Sequence, residues 1–341
     1  MSHEPDEHWV PWDLVPTDGA PMVRWARVDQ RVFSKPFFED DIRLAGGVFQ
    51  REGRTRLTSL DTLDDWSDRS AELPIQGLVF HTSRCGSTLL MQLLHASGKV
   101  AIVAEPPVLD QVLRLTMPQS NWTAQPAQVR RWCQGALNAL TQRRGQNSLN
   151  CTVVKLDAWL IGAIDELAAL VPAAWRIFLF REPAAILSSH RHIRGMFMVP
   201  YLLPWQSLGT EGPCLDPANL DRWAAQILLA TFQRGKSAVE SAAVWPLAYQ
   251  EVLKATQDTI LPASGITVTD EIRARLEACA ARNAKRPREL FTAPMESALD
   301  TFRLDKELSE SLESVYSSLL ACSDRSKTDS SHSLVSTSTT R

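Results

Sequence analysis

A continuous apolar run that empties into a small polar turn and reopens as an amphipathic helix constrains this chain more than any other feature. Gln76-Gly77-Leu78-Val79-Phe80-His81 is too short for a helix and too uniformly apolar for a surface strand. It reads as a strand buried on both faces. Thr82-Ser83-Arg84-Cys85-Gly86 supplies the turn, and Ser87 to Ala96 follows with Leu89, Leu90, Leu93 and Leu94 on one helical face. A strand covered on both sides and continued by a helix belongs to a parallel sheet, whose neighbouring strands are joined by crossover helices.

The same alternation recurs downstream. Val100 to Ala104 reads as a second strand, and Val129, Trp132, Ala136, Leu137 and Leu140 repeat at helical spacing, with Gly145 placed to end that helix. Cys151 to Leu156 is the next strand, followed by a helix from Leu160 to Leu170 that Pro172 stops. Arg176 to Phe180 is a further apolar strand, and Pro183 suits the first turn of the helix behind it. Helical patterns around Leu220 to Leu228, Ile272 to Ala281 and Leu308 to Leu320, with a strand from Val244 to Tyr249, complete the series. The expected fold class is α/β: three layers, with a central parallel sheet and helices on both faces. Residues 75–322 form that domain. Residues 1–74, irregular in pattern, are expected as an N-terminal extension packed on it, and the Ser/Thr-rich stretch from Ser323 to Arg341 as a disordered tail.

Composition narrows the class of partner. Apolar residues make up 44% and charged residues 22% of 341, enough for an ordinary core, and the net charge of -3 opposes general attraction to nucleic acid or acidic membrane. The six cysteines show no CxxC spacing, the N-terminus is acidic and polar, and no apolar run reaches the roughly 20 residues a bilayer span needs. These features predict a reduced, cytoplasmic protein with no nucleic-acid or membrane partner and no metal-ligand cluster.

In a parallel sheet, ligands gather at the carboxyl ends of the strands. There Gly86 permits a tight turn, and the amides of Gly86, Ser87 and Thr88 open a helix, where partial positive charge favours phosphate. Ser87 and Thr88 add hydroxyls, and Arg84 adds a permanent fork of donors. This is not a Walker A loop, which needs an earlier glycine and a lysine. Ser83-Arg84-Cys85-Gly86-Ser87-Thr88 resembles the 5′-phosphosulfate loop of the sulfotransferases that use 3′-phosphoadenosine 5′-phosphosulfate, with Ser83 in place of the usual proline and Cys85 in place of a small hydroxyl residue.

A second string, Arg181-Glu182-Pro183 through Ser189, resembles the 3′-phosphate motif of that family: an arginine at a strand end and a serine eight positions on. The resemblance covers roughly residues 75 to 290 and implies a P-loop-like sulfotransferase fold. It further implies that Arg84, Cys85, Gly86, Ser87 and Thr88 hold the 5′ end of the co-substrate and that Arg181 and Ser189 hold the 3′ phosphate. Tyr249 is either a nucleotide contact or an anchor for its own strand. Glu105, after the second strand and 21 residues beyond Arg84, is similar in place to the catalytic base of tyrosylprotein sulfotransferases. Burial would raise its pKa and Arg84 would lower it. Otherwise it caps a helix or pairs with Arg84. Lys155 either stabilises the bridging oxygen of the departing phosphate or pairs with Asp157 or another carboxylate. His81, His190 and His192 read as structural, and Lys285, Arg286 and Arg288 as a late basic cluster on a solvated face.

The resemblance implies an enzyme that moves a sulfuryl group in line to a hydroxyl on a small-molecule or peptide acceptor, with the acceptor pocket built from 106–126 and 193–218. Two rivals remain: a small-molecule kinase on the same sheet, and a nucleotide-binding scaffold without chemistry.

Overall fold

The computed structural model describes residues 4–46, 53–117, 123–145, 148–200, 202, 219–283, 286–290, 299–302 and 304–328. The N-terminal extension is more regular than its sequence suggests. Strands β1 (Trp9–Val15), β2 (Met22–Arg27) and, after helix α1 (Phe38–Leu44), β3 (Thr55–Thr58) form an antiparallel sheet in the order β1-β2-β3, followed by helix α2 (Asp61–Ser67). The pairing slips between Pro11 and Asp13, a bulge that breaks the period-two pattern and hides the strand from sequence reading. Trp9, Trp12 and Trp25 are buried, and the Trp25 indole donates to Thr58 Oγ1 at 2.8 Å.

The main sheet follows the expected alternation. Strand β4 (Ile75–His81) leads through the small turn to α3 (Ser87–Ala96), then β5 (Val100–Ala104), α4 (Pro107–Leu113) and α5 (Pro126–Leu140). Next come β6 (Cys151–Lys155), a 3-10 turn (Ala158–Ala163), α6 (Ile164–Leu170), β7 (Trp175–Phe180), α7 (Pro183–His192), α8 (Leu220–Glu240) and β8 (Trp245–Ala248). The five strands are parallel and ordered β5-β6-β4-β7-β8. Successive strands therefore leave β4 toward one edge and return to the other, and the crevice where order reverses lies at the carboxyl end of β4.

Helices cover both faces. After β8 the chain enters α9 (Val252–Ala255), which runs through a π-turn (Thr256–Ile260) into α10 (Leu261–Ala263). Helix α11 (Asp270–Ala280) packs with α3 on one side of the sheet. The short strands β9 (Arg282–Asn283) and β10 (Arg286–Leu290) pair before α12 (Lys306–Thr328), which packs with α8 and β8 on the opposite side. A Cβ on Gly235 would sit 2.1 Å from the Phe178 ring, so the glycine lets α8 lie flat on β7.

Two boundaries differ from expectation. Helix α5 ends at Leu140, short of Gly145, where the backbone of its C-cap Thr141 leaves the helical region (φ -102°, ψ 15°). The residues expected to begin a disordered tail, Ser323 to Thr328, continue α12, with Ser323 buried against the carbonyl of Pro246. The rest of that expected tail lies outside the described residues.

Candidate functional site

The turn after β4 is bent by three left-handed residues, Ser83 at φ 59°, Arg84 at φ 50° and Gly86 at φ 92°. Such a curl turns successive amides toward one concavity, the geometry of an anion nest. No side chain caps the first turn of α3, so its leading amides are left to a ligand or to water. Ser87 and Thr88 lie in that turn and are nearly buried. Cys85 does not contribute as expected: its thiol is fully buried, so it can offer a ligand only its backbone. Burial is the largest single influence and raises the thiol's pKa, but His81 and Thr82 beside it together outweigh burial and lower it.

The second string meets the first through Tyr249, which directly follows β8. A Cβ on Gly86 would fall 2.5 Å from Cδ2 of the Tyr249 ring, and the Arg181 guanidinium carbon stacks 4.4 Å above the same ring. Gly86, Tyr249 and Arg181 thus form one wall across the carboxyl ends of β4, β7 and β8. Ser189 sits about two turns into α7, partly exposed, and is not hydrogen-bonded to Arg181 among the described residues.

On the other side of β4, the ends of β5 and β6 carry the groups suited to proton and charge transfer. Lys155, 2% exposed at its side chain, places Nζ 2.8 Å from Glu105 Oε1, and His81 Nε2 lies 3.2 Å from the same oxygen. The Ser83 amide donates to His81 Nδ1 at 3.0 Å, which leaves the ring proton on Nε2, close to Glu105 but without hydrogen-bond geometry to it. Glu105 itself adopts φ 56°, and its amide donates to the Lys155 carbonyl at 2.8 Å. Burial works to raise the Glu105 carboxyl, but the Lys155 ammonium and the nearby His81 ring together overcome it and hold the group at about 2.

That outcome corrects one expectation and decides another. The cation that lowers Glu105 is Lys155 and not Arg84, and the carboxylate with which Lys155 pairs is Glu105. A carboxylate pinned so low is a weak proton acceptor. Arg84 reaches elsewhere, donating from Nη2 to the Ile193 carbonyl at 2.7 Å and so tying the anion loop to the segment after α7.

Sequence reasoning missed a second carboxylate layer. Asp110 on α4 is buried, accepts from the Trp159 indole at 2.6 Å and pairs with Arg114 at 2.5 Å. Asp157, two residues beyond Lys155, keeps part of its surface open. The available signal was the recurrence of carboxylates just past the ends of β5 and β6. A cavity of about 300 Å³ opens beside this layer, lined by Asp110, Arg114, Met117, Cys133, Leu160 and Glu166 among others. It uses part of the segment expected to shape an acceptor pocket. Residues 118–122, 201 and 203–218 of the expected acceptor segments lie outside the described residues.

Of the other histidines singled out, His190 Nδ1 accepts from the Gly195 amide at 3.2 Å, and His192 Nδ1 lies 2.9 Å from the Ser188 carbonyl oxygen. Of the late basic cluster, Lys285 lies outside the described residues, while Arg286 and Arg288 fall in β10.

Neither a protein-family model nor a curated protein matches the sequence. Among solved structures, the chain is similar to sulfotransferase STF9 from Mycobacterium avium, at 16% identity over 78% of this chain and 79% of that one, with a TM-score of 0.45. It is also similar to sulfotransferase STF1 from Mycobacterium tuberculosis, at 15% identity over 83% and 85% of the two chains, with a TM-score of 0.42.

Proposed function

We propose that this chain is a sulfotransferase that takes its sulfuryl group from 3′-phosphoadenosine 5′-phosphosulfate and delivers it to a hydroxyl acceptor. The observation that carries this reading is the single wall formed by Gly86, Tyr249 and Arg181. It joins an anion nest at the start of α3 to a second, separate cation at the end of β7. Two anion sites bridged by an aromatic ring suit a nucleotide with phosphates at both its 5′ and 3′ ends. A kinase loop, by contrast, needs a lysine that the segment Thr82 to Thr88 lacks.

The residues present fit the co-substrate. The uncapped amides of α3 and the curled backbone before it would hold the 5′ end, with Ser87 and Thr88 adding hydroxyls. Arg181 would hold the 3′ phosphate by charge-assisted bonds, with Ser189 as its partner from α7, and the Tyr249 ring would keep the arginine oriented. When bound, the co-substrate supplies an activated sulfuryl group on a phosphate leaving group. Lys155 ends the strand next to β4 and is held by Glu105, and its ammonium would neutralise charge on a departing phosphate oxygen that reaches it. Arg84 joins that role from the loop.

Isothermal titration with 3′-phosphoadenosine 5′-phosphate, the desulfonated product, tests the reading. Binding without magnesium that Arg181→Ala weakens roughly tenfold to a hundredfold, with ATP weak, is the expected result. ATP preferred in the presence of magnesium, or no binding of the bisphosphate, would overturn it.

A further inference from the structure

We infer that Asp157, rather than Glu105, is the base that takes the proton from the acceptor hydroxyl. The inference rests on the sulfotransferase reading above and assigns its missing step.

Three carboxylates crowd the carboxyl ends of β5 and β6, and two of them are committed. Glu105 is paired with Lys155 and touched by His81. Asp110 is paired with Arg114 and receives the Trp159 indole hydrogen. Asp157 makes neither a hydrogen bond nor an ion pair through its side chain among the described residues, and it keeps part of its surface open. It follows Lys155 by two residues at the carboxyl end of β6, the strand adjacent to β4 and its anion loop. An uncommitted carboxyl, on a residue that is largely but not wholly buried and next to the proposed leaving-group lysine, is where an acceptor hydroxyl can donate.

The surrounding charges suit that task. The groups that act on Asp157 are Glu105 from the end of β5, Asp110 from α4, Lys155 from β6 and Arg114 from the turn after α4. Three carboxylates face two cations, so the cluster favours one bound proton. Asp110 and Glu105 have donors of their own, which leaves Asp157 as the carboxylate with proton affinity to spare, free to accept once the pH exceeds its raised pKa. Burial, then the charges of Glu105 and Asp110, push its pKa well above the ordinary carboxyl range, against the weaker pull of Lys155 and Arg114. A base displaced upward in this way gains proton affinity, which Glu105 at about 2 has lost. In the step, the proton leaves the hydroxyl for a carboxylate oxygen of Asp157. The hydroxyl oxygen's electron pair forms the new bond to sulfur, and the bond from sulfur to the nucleotide phosphate oxygen breaks.

The sign of the shift supplies a readout besides turnover. A carboxyl whose folded pKa lies above its unfolded value favours the native state at low pH, and this contribution is lost as pH rises through the folded pKa. Asp157→Asn removes the unfavourable buried charge and keeps the shape. We therefore expect Asp157→Asn to melt higher than wild type at pH 8, with the difference vanishing toward pH 4. It should bind the bisphosphate within about twofold of wild type, and transfer should fall by two orders of magnitude or more. The acid limb of the wild-type rate profile should stand above the ordinary carboxyl range and be absent from the variant's residual rate.

An Asp157→Asn protein less stable than wild type at every pH would make the carboxylate structural and overturn the inference. A variant that binds the bisphosphate normally and keeps both rate and acid limb would also overturn it, leaving the donor reading intact. Wild type that fails to bind the bisphosphate overturns the donor reading instead.

Discussion

Gly86 carries two constraints at once, a left-handed φ of 92° and a ring 2.5 Å from where a Cβ would stand. Gly86→Ala should therefore cost about 1–2 kcal/mol from the backbone alone and displace Tyr249 from Arg181. We expect bisphosphate affinity to fall at least tenfold. Adding Tyr249→Ala should recover little affinity, because it removes the clash but not the backbone strain. A Gly86→Ala protein that binds the nucleotide as wild type does would refute this account of the loop. Glu105 offers a second test through pH. Its folded pKa of about 2 lies below its ordinary value near 4.5, so its contribution to stability is present above about pH 4.5 and lost as pH falls toward 2. Glu105→Gln should be less stable than wild type by on the order of 3 kcal/mol at pH 7, since Lys155 is left buried without a counter-charge. In urea denaturation the gap should narrow between pH 4.5 and 2, and a constant gap would exclude the ion pair as its source. Gly86, Arg181 and Lys155 were legible in the sequence because each sits beside a strand end in a recognisable string. The Tyr249 bridge and the commitment of Glu105 to Lys155 were not, since both join residues 50 or more positions apart whose contact only the sheet order creates.

The buried parallel strands could be read directly because continuous apolar runs mark them, and β4 through β8 fall close to where those runs lie. The N-terminal sheet could not. Pro11 and the bulge beside it break the alternation of β1, and β2 and β3 are each six residues or fewer. β1 packs directly on α4 and α5, and helix α2 behind the sheet adds a close crossing over α5. A Cβ on Gly135 would stand 1.8 Å from the Leu63 carbonyl oxygen, and Asn138 Nδ2 donates to the carbonyls of Trp66, Ser67 and Arg69 at 3.1, 3.3 and 2.7 Å. Gly135→Ala must push the two helices apart and should destabilise the chain by roughly 1–3 kcal/mol, the usual cost of overpacking a close contact. Thermal denaturation checks it, and an unchanged melting temperature would mean that the helices separate freely. The extension also reaches the site: Phe37, the residue before α1, lies with its ring 5.1 Å from Lys155 Nζ. Loosening α2 from α5 can therefore be felt where the chemistry is proposed.

At the scale of the whole molecule, the strand order β5-β6-β4-β7-β8 divides the crevice into two working halves. The anion loop at the end of β4 is shared. Arg181 and Tyr249 follow β7 and β8 on one side, and Glu105 and Lys155 mark the ends of β5 and β6 on the other. Binding and transfer should then be separable by mutation. Arg181→Ala removes a cation from the nucleotide half and is expected to weaken bisphosphate binding while leaving the Lys155–Glu105 pair in place. Lys155→Met removes the charge proposed to face the departing phosphate, and is expected to lower kcat a hundredfold or more with bisphosphate affinity changed by less than threefold. Because the two residues share no contact, their effects on transfer measured as kcat/KM should add in free energy to within about 0.5 kcal/mol in the double variant. Strong non-additivity would show that the halves act as one unit through the β4 loop. In that case Lys155 would belong to nucleotide binding, and the division that the sheet order suggests would not describe how the molecule works.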